Sequence, residues 1–179
     1  VPPYPDSYEL YDKDRGWVYE AGKSGTHLSA LCLGEYSASI AINSHGLRDI
    51  ERTYDKSPNT TRILMLGDST VASFEVELDE AMHSQIEKEL GQVDDSANYE
   101  VLNGGHRGYG TDFEYLFYEQ QAYQYDADLV VLVFQINNDF GDNHPNLRST
   151  EPEYYPAFKQ IWGVASKQEN QVISLVKKQ

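Results

Sequence analysis

Three short strand-like segments, at residues 63–66, 99–103 and 128–136, restrict what this chain can fold into more than any other feature. Each has strand length and stops on glycine or small polar residues. Ile63-Leu-Met-Leu66 is apolar throughout, the pattern of a strand buried on both faces in a parallel sheet. Helical spacing fills the gaps. Met82, Ile86 and Leu90 recur at a helical interval within a helix predicted over 80–90. A second helix is predicted over 111–125, with Thr111 or Asp112 as its N-cap. Strand, helix, strand, helix, strand is the order of a parallel α/β sheet with right-handed crossovers.

Residues 1–60 read differently. They are rich in Pro, Gly, Ser and Tyr, and short alternating segments at 16–20 and 37–42 suit antiparallel strands. They form a small β-rich N-terminal extension or cap, with the α/β domain at 61–179. Residues 43–49 are a turn-rich connector and 56–60 a surface loop. After about residue 140 the α/β pattern fades: 145–156 reads as a loop, and 173–176 fits a strand or a helix. At 179 residues the chain has the size of one well-buried domain.

A net charge of −15, from 29 acids against 14 bases, argues against nucleic acid or an anionic membrane as partner. No apolar run approaches membrane-span length, and no signal peptide is recognised at the amino terminus. Cys32 is the single cysteine, which excludes an internal disulfide and a cysteine-based metal site. No cofactor is expected. The acidity, the 14 tyrosines and a sequon at Asn59-Thr60-Thr61 lean toward a secreted or envelope protein.

The chemistry-bearing residues sit at the three strand exits. Gly67-Asp68-Ser69 ends the first run, Asn103-Gly-Gly-His-Arg-Gly108 the second, and Asn138-Asp139 the third. In open α/β sheets ligands bind at that edge, so residues 39 and then 30 positions apart can converge there. Ser69 can offer its Oγ and its own N–H, Gly108 an unobstructed N–H, and Asn138 a side-chain amide. That is a nucleophile with three donors for a developing oxyanion. Taken singly, each is an ordinary turn residue: a helix N-cap, a positive-φ glycine, an Asx-turn. Asp68 and Asp139 read as loop-ordering carboxylates that accept backbone N–H bonds.

Together these blocks resemble the SGNH, or GDSL, hydrolase family over about residues 40–145. Gly67-Asp68-Ser69 is similar to its first block, Asn103 with Gly108 to its second, and Asn138-Asp139 to its third. Ile136 stands where that third block carries a glycine. The upstream Asn43-Ser-His-Gly-Leu-Arg-Asp49 resembles a segment that often precedes the first block in bacterial members. The resemblance implies a flavodoxin-like three-layer α/β/α fold, incomplete at the C-terminus. It also implies ester hydrolysis on a carbohydrate or lipid-like substrate, with Ser69 as nucleophile and Ser69, Gly108 and Asn138 as oxyanion donors.

The family's fourth block, an Asp-x-x-His supplying the base, has no match. The histidines are 27, 45, 83, 106 and 144, and none follows an aspartate at that spacing. Three accounts remain. The base comes from a C-terminal segment or a second chain; or the chain is a pseudo-enzyme that binds a glycan or a partner protein; or His106 or His144, both in loops at the right edge, substitutes. The fading pattern after residue 140 favours the first.

Overall fold

The computed structural model describes residues 8–29, 34–94 and 96–143. A parallel three-stranded sheet is formed by β5 (Thr60–Gly67), β6 (Asn98–Gly105) and β7 (Leu129–Val133), in the order β6-β5-β7. Alternation along β5 divides the core. Leu64 and Leu66 pack with Leu102 against α3 (Thr111–Gln120), which contributes Phe113, Leu116 and Phe117. Met65 and Ile63 face the other way, with Val101, toward Met82, Ile86 and Leu90 of α2 (Met82–Val93). Helices on both faces of a parallel sheet make the α/β layering that the sequence pattern implies.

Upstream, β1 (Glu9–Asp12) pairs antiparallel with β2 (Gly16–Tyr19), and β3 (Ser24–Leu28) with β4 (Ser37–Ala41). These hairpins pack onto the α/β unit. Tyr8, Tyr19, Ile40 and Ile42 share a cluster with Ala72 and Phe74, at the end of the one-turn helix α1 (Ser69–Ala72).

Three elements differ from the sequence reading. The helix predicted over 111–125 breaks at Gln121 (φ −136°) and resumes as a 3₁₀ turn, Ala122–Tyr125. Its N-cap is Gly110, without a side-chain cap bond, and Asp112 Oδ1 instead accepts from Phe113 N–H. The third strand stops at Val133 because residues 135–139 close a turn, with Asp139 N–H donating to Gln135 O at 2.9 Å. Among the described residues β7 is an edge strand, and Val130, Leu132 and Phe134 are exposed. The next segment is a short helix, α4 (Asp139–Asp142). No helix of the described residues is long and apolar enough to cross a membrane.

Gly105 shows how tightly α1 sits on the sheet. A Cβ there would fall 2.6 Å from the Val71 carbonyl carbon and overlap Ala72. Gly105→Ala is therefore expected to cost about 2–3 kcal/mol in urea denaturation, because backbone and not a flexible side chain must move. A loss below about 0.5 kcal/mol would show that α1 can lift from the sheet freely.

Candidate active site at the strand exits

The carboxyl ends of the three strands lie side by side: Gly67 is in register with Gly105 of β6 and Val133 of β7. Asp68 is buried immediately after β5 and acts as N-cap of α1, its Oδ1 accepting from Thr70 N–H at 2.8 Å. Its other oxygen, Oδ2, accepts from Asn138 Nδ2 at 2.8 Å. A second strap runs from Gln135 Nε2 to Thr70 Oγ1 at 3.2 Å. The first and third sequence blocks are thus joined directly, although 70 positions separate Asp68 from Asn138.

Ser69 is the first residue of α1 and half-buried. Its backbone N–H belongs to the opening turn, where helical N–H groups lack an intrahelical acceptor. Its own carbonyl accepts from Ser73 N–H at 2.9 Å. Asn138 is less free than an oxyanion donor should be. Its Nδ2 also donates to Asp142 Oδ2 at 3.0 Å, so both amide hydrogens rest on carboxylates.

Gly108 occupies the turn after β6, closed by Tyr109 N–H to His106 O at 3.1 Å, and has φ +74°. Only glycine adopts that conformation without strain. His106 N–H donates to Gly67 O at 3.0 Å, which ties this turn to the end of β5. The N-terminal hairpin supports it from outside. Trp17 Nε1 donates to Arg107 O, Arg107 N–H donates to Tyr19 Oη, and the Arg107 guanidinium pairs with Glu9. Among the described residues Gly108 has no hydrogen bond to Ser69 or Asn138. Asn103 is fully buried below the turn; its Oδ1 accepts from Gly105 N–H at 3.0 Å, and its backbone N–H reaches Asp49.

Among the described residues no histidine completes a triad. His106 is a core residue, not a solvated loop residue: it is 1 % exposed and stacked between Tyr19 and Tyr109, with ring centroids 4.7 and 4.6 Å away. Burial pushes its pKa down to about 4, although Nδ1 lies 3.2 Å from Gly104 O, a contact that favours the protonated ring. A general base must become imidazolium, and this enclosure opposes that. His144 lies outside the described residues. His27 is engaged with Tyr36, His45 with Tyr125 and His83 with Asp49 and Ser84.

Two groups that sequence reasoning missed prove central. Within the 43–49 connector, Arg48 is buried and donates to the carbonyls of Ala72, Ser73 and Val76 at 3.2, 2.5 and 2.5 Å. It closes the C-terminal end of α1 as Asp68 closes the start. The connector was visible as a motif, but no local pattern marks an arginine for burial. The other group is Glu114 on α3, fully buried, with neither carboxylate oxygen hydrogen-bonded. Among the described residues no group of three or more His, Cys, Asp or Glu side chains is arranged to hold a metal ion. A cavity of about 490 Å³ opens elsewhere, lined by Arg15, Ser44, His45, Tyr54 and Gln121 and by none of the candidate residues.

No family model matches the sequence, and no curated protein matches it. Among solved structures the chain is similar to a point mutant of the esterase AlinE4. The identity is 15%, the TM-score 0.38, and the overlap covers 64% of this chain and 75% of that one.

Proposed function

We propose that this chain carries the nucleophile half of a serine ester hydrolase site of SGNH type, acting on acyl esters of a carbohydrate or a lipid-like alcohol. The observation that supports it best is the Asp68 carboxylate, which holds Thr70 N–H and the Asn138 amide together beside Ser69. In this reading Ser69 Oγ attacks the acyl carbon while a histidine outside the described residues takes its proton. The carbonyl oxygen becomes negative between Ser69 N–H, Gly108 N–H and Asn138 Nδ2. The alcohol leaves with the proton, and water then releases the acyl group from Ser69. Asn138 enters this role by exchanging its Asp142 contact for the oxyanion, keeping Asp68 as its anchor.

The test is covalent labelling with a fluorophosphonate probe, read by mass spectrometry on the peptide containing Ser69. A second reading, a non-catalytic module that binds a glycan or partner protein at this edge, is favoured by the double engagement of Asn138 and by the lack of a base beside Ser69 among the described residues. It predicts no labelling whether or not a histidine-bearing segment is present. Where turnover of p-nitrophenyl acetate occurs, Asn138→Ala is expected to lower kcat by about 10²–10³. An unchanged kcat would remove Asn138 from the site.

A further inference from the structure

Among the described residues Glu114 is the one side chain with two buried polar atoms that lack a hydrogen-bond partner. It lies in the first turns of α3, fully buried, with both carboxylate oxygens partnerless. The start of α3 abuts α4: Asn143 Oδ1 accepts from Asp112 N–H, and Asn143 Nδ2 donates to Thr111 Oγ1. Asp139, the first residue of α4, is also fully buried. Its Oδ2 accepts from Gln135 N–H at 2.5 Å, while its Oδ1 has no partner. The charged groups that act on Glu114 are all acids: Asp139 from α4, Asp68 from the β5–α1 turn and Asp112 from its own helix. No cation of the described residues is among them, and a carboxyl buried under the charge of other acids holds its proton more tightly.

We propose that Glu114 is a positioning residue for the candidate site and works in its neutral form, donating its proton to the free Oδ1 of Asp139, directly or through one buried water, and so holding the 135–139 turn that presents Asn138. The geometry provides both ends of that link, buried carboxyl oxygens without partners on each residue. Burial pushes the Asp139 pKa up as well, but Gln135 N–H favours its ionised form, whereas Glu114 has no hydrogen bond to do so. Asp139 already closes the turn through Gln135, and the next residue back carries the amide bound to Asp68. The physical consequence is pH dependence. Burial first, then the neighbouring acids, pushes the Glu114 pKa up to about 8 from an ordinary value near 4.5. A raised acid pKa means that the folded state binds the proton more tightly than the unfolded one. Stability therefore falls as pH rises between those two values, and the loss is complete above the folded pKa.

This assignment rests on Asn138 belonging to the proposed site, but its test does not require turnover. Glu114→Gln keeps the shape and a donor while removing the titration; Glu114→Ala removes both. The wild type is expected to lose thermal stability between about pH 5 and about pH 9 relative to Glu114→Gln, and to match it at the acidic end. Infrared difference spectroscopy near neutral pH should show a protonated carboxyl carbonyl band that Glu114→Gln abolishes. The NMR signals of the Asn138 side-chain amide should shift with pH in the wild type and stay fixed in Glu114→Gln. Parallel stability profiles, no protonated carboxyl band, or an Asn138 amide insensitive to Glu114 would each overturn the proposal. If Ser69 fails to label while these three results hold, the hydrolase reading falls and the Glu114–Asp139 link stands.

Discussion

Ser69→Ala is expected to reduce p-nitrophenyl acetate turnover at least about 10³-fold, some 4 kcal/mol on the barrier, and to abolish fluorophosphonate labelling. The substitution is clean because Ser69 Oγ is no part of the frame. The cap bond belongs to Asp68 and Thr70, and the link across the sheet edge to Asp68 and Asn138. Thermal stability should therefore stay within about 0.5 kcal/mol of the wild type, which separates lost chemistry from lost fold. Turnover that persists in the alanine variant would leave Ser69 as an ordinary first-turn residue. The pH profile adds a check on the base. An ordinary histidine gives a rate that rises through about pH 6.5, whereas His106, held down to about 4, would place that limb well into acid.

The largest stability effect is expected at Arg48. A single turn of helix does not sustain itself, and α1 exists because both ends are tied. Asp68 holds the first turn; Arg48 takes the carbonyls of Ala72, Ser73 and Val76, just where Ser73 adopts a left-handed backbone at φ 55°. Arg48→Met fills comparable space beside Phe74, which lies 5.5 Å from the guanidinium carbon, but leaves three carbonyls without their donor. The expected loss is about 3–5 kcal/mol by urea denaturation. Arg48→Lys should recover only part of it, since an ammonium cannot fork across three acceptors. A loss below about 1 kcal/mol in Arg48→Met would mean that water replaces the guanidinium and that α1 is held by other contacts.

The strand β5 was legible in the sequence because burial on two faces demands unbroken apolar residues, as Leu64, Met65 and Leu66 show. The end of α3 was not. Ala122 and Tyr125 are buried on a 3₁₀ turn, and over one turn that spacing looks the same as an α-helix continuing. The strand exits were legible as positions where Ser69, Gly108 and Asn138 stand at one sheet edge. Their state was not. His106 looked like a free loop histidine, yet it is packed between two tyrosines, one of them from the N-terminal hairpin.

By itself the sequence determined the alternation of strands and helices, and therefore that Gly67-Asp68-Ser69, Gly108 and Asn138 share one edge of a parallel sheet. Periodicity is a local property, and it sets which residues face inward wherever the partner element lies. Only the tertiary structure decided what each polar group at that edge is bound to. Asn138 rests on Asp68 and Asp142, Arg48 caps α1, and Glu114 is buried without a hydrogen-bond partner under the charge of Asp139. The partners of a buried polar group are chosen by whatever packs over it, and here, apart from Asp142, they come from segments 24 to 70 positions away. No window along the chain contains that information.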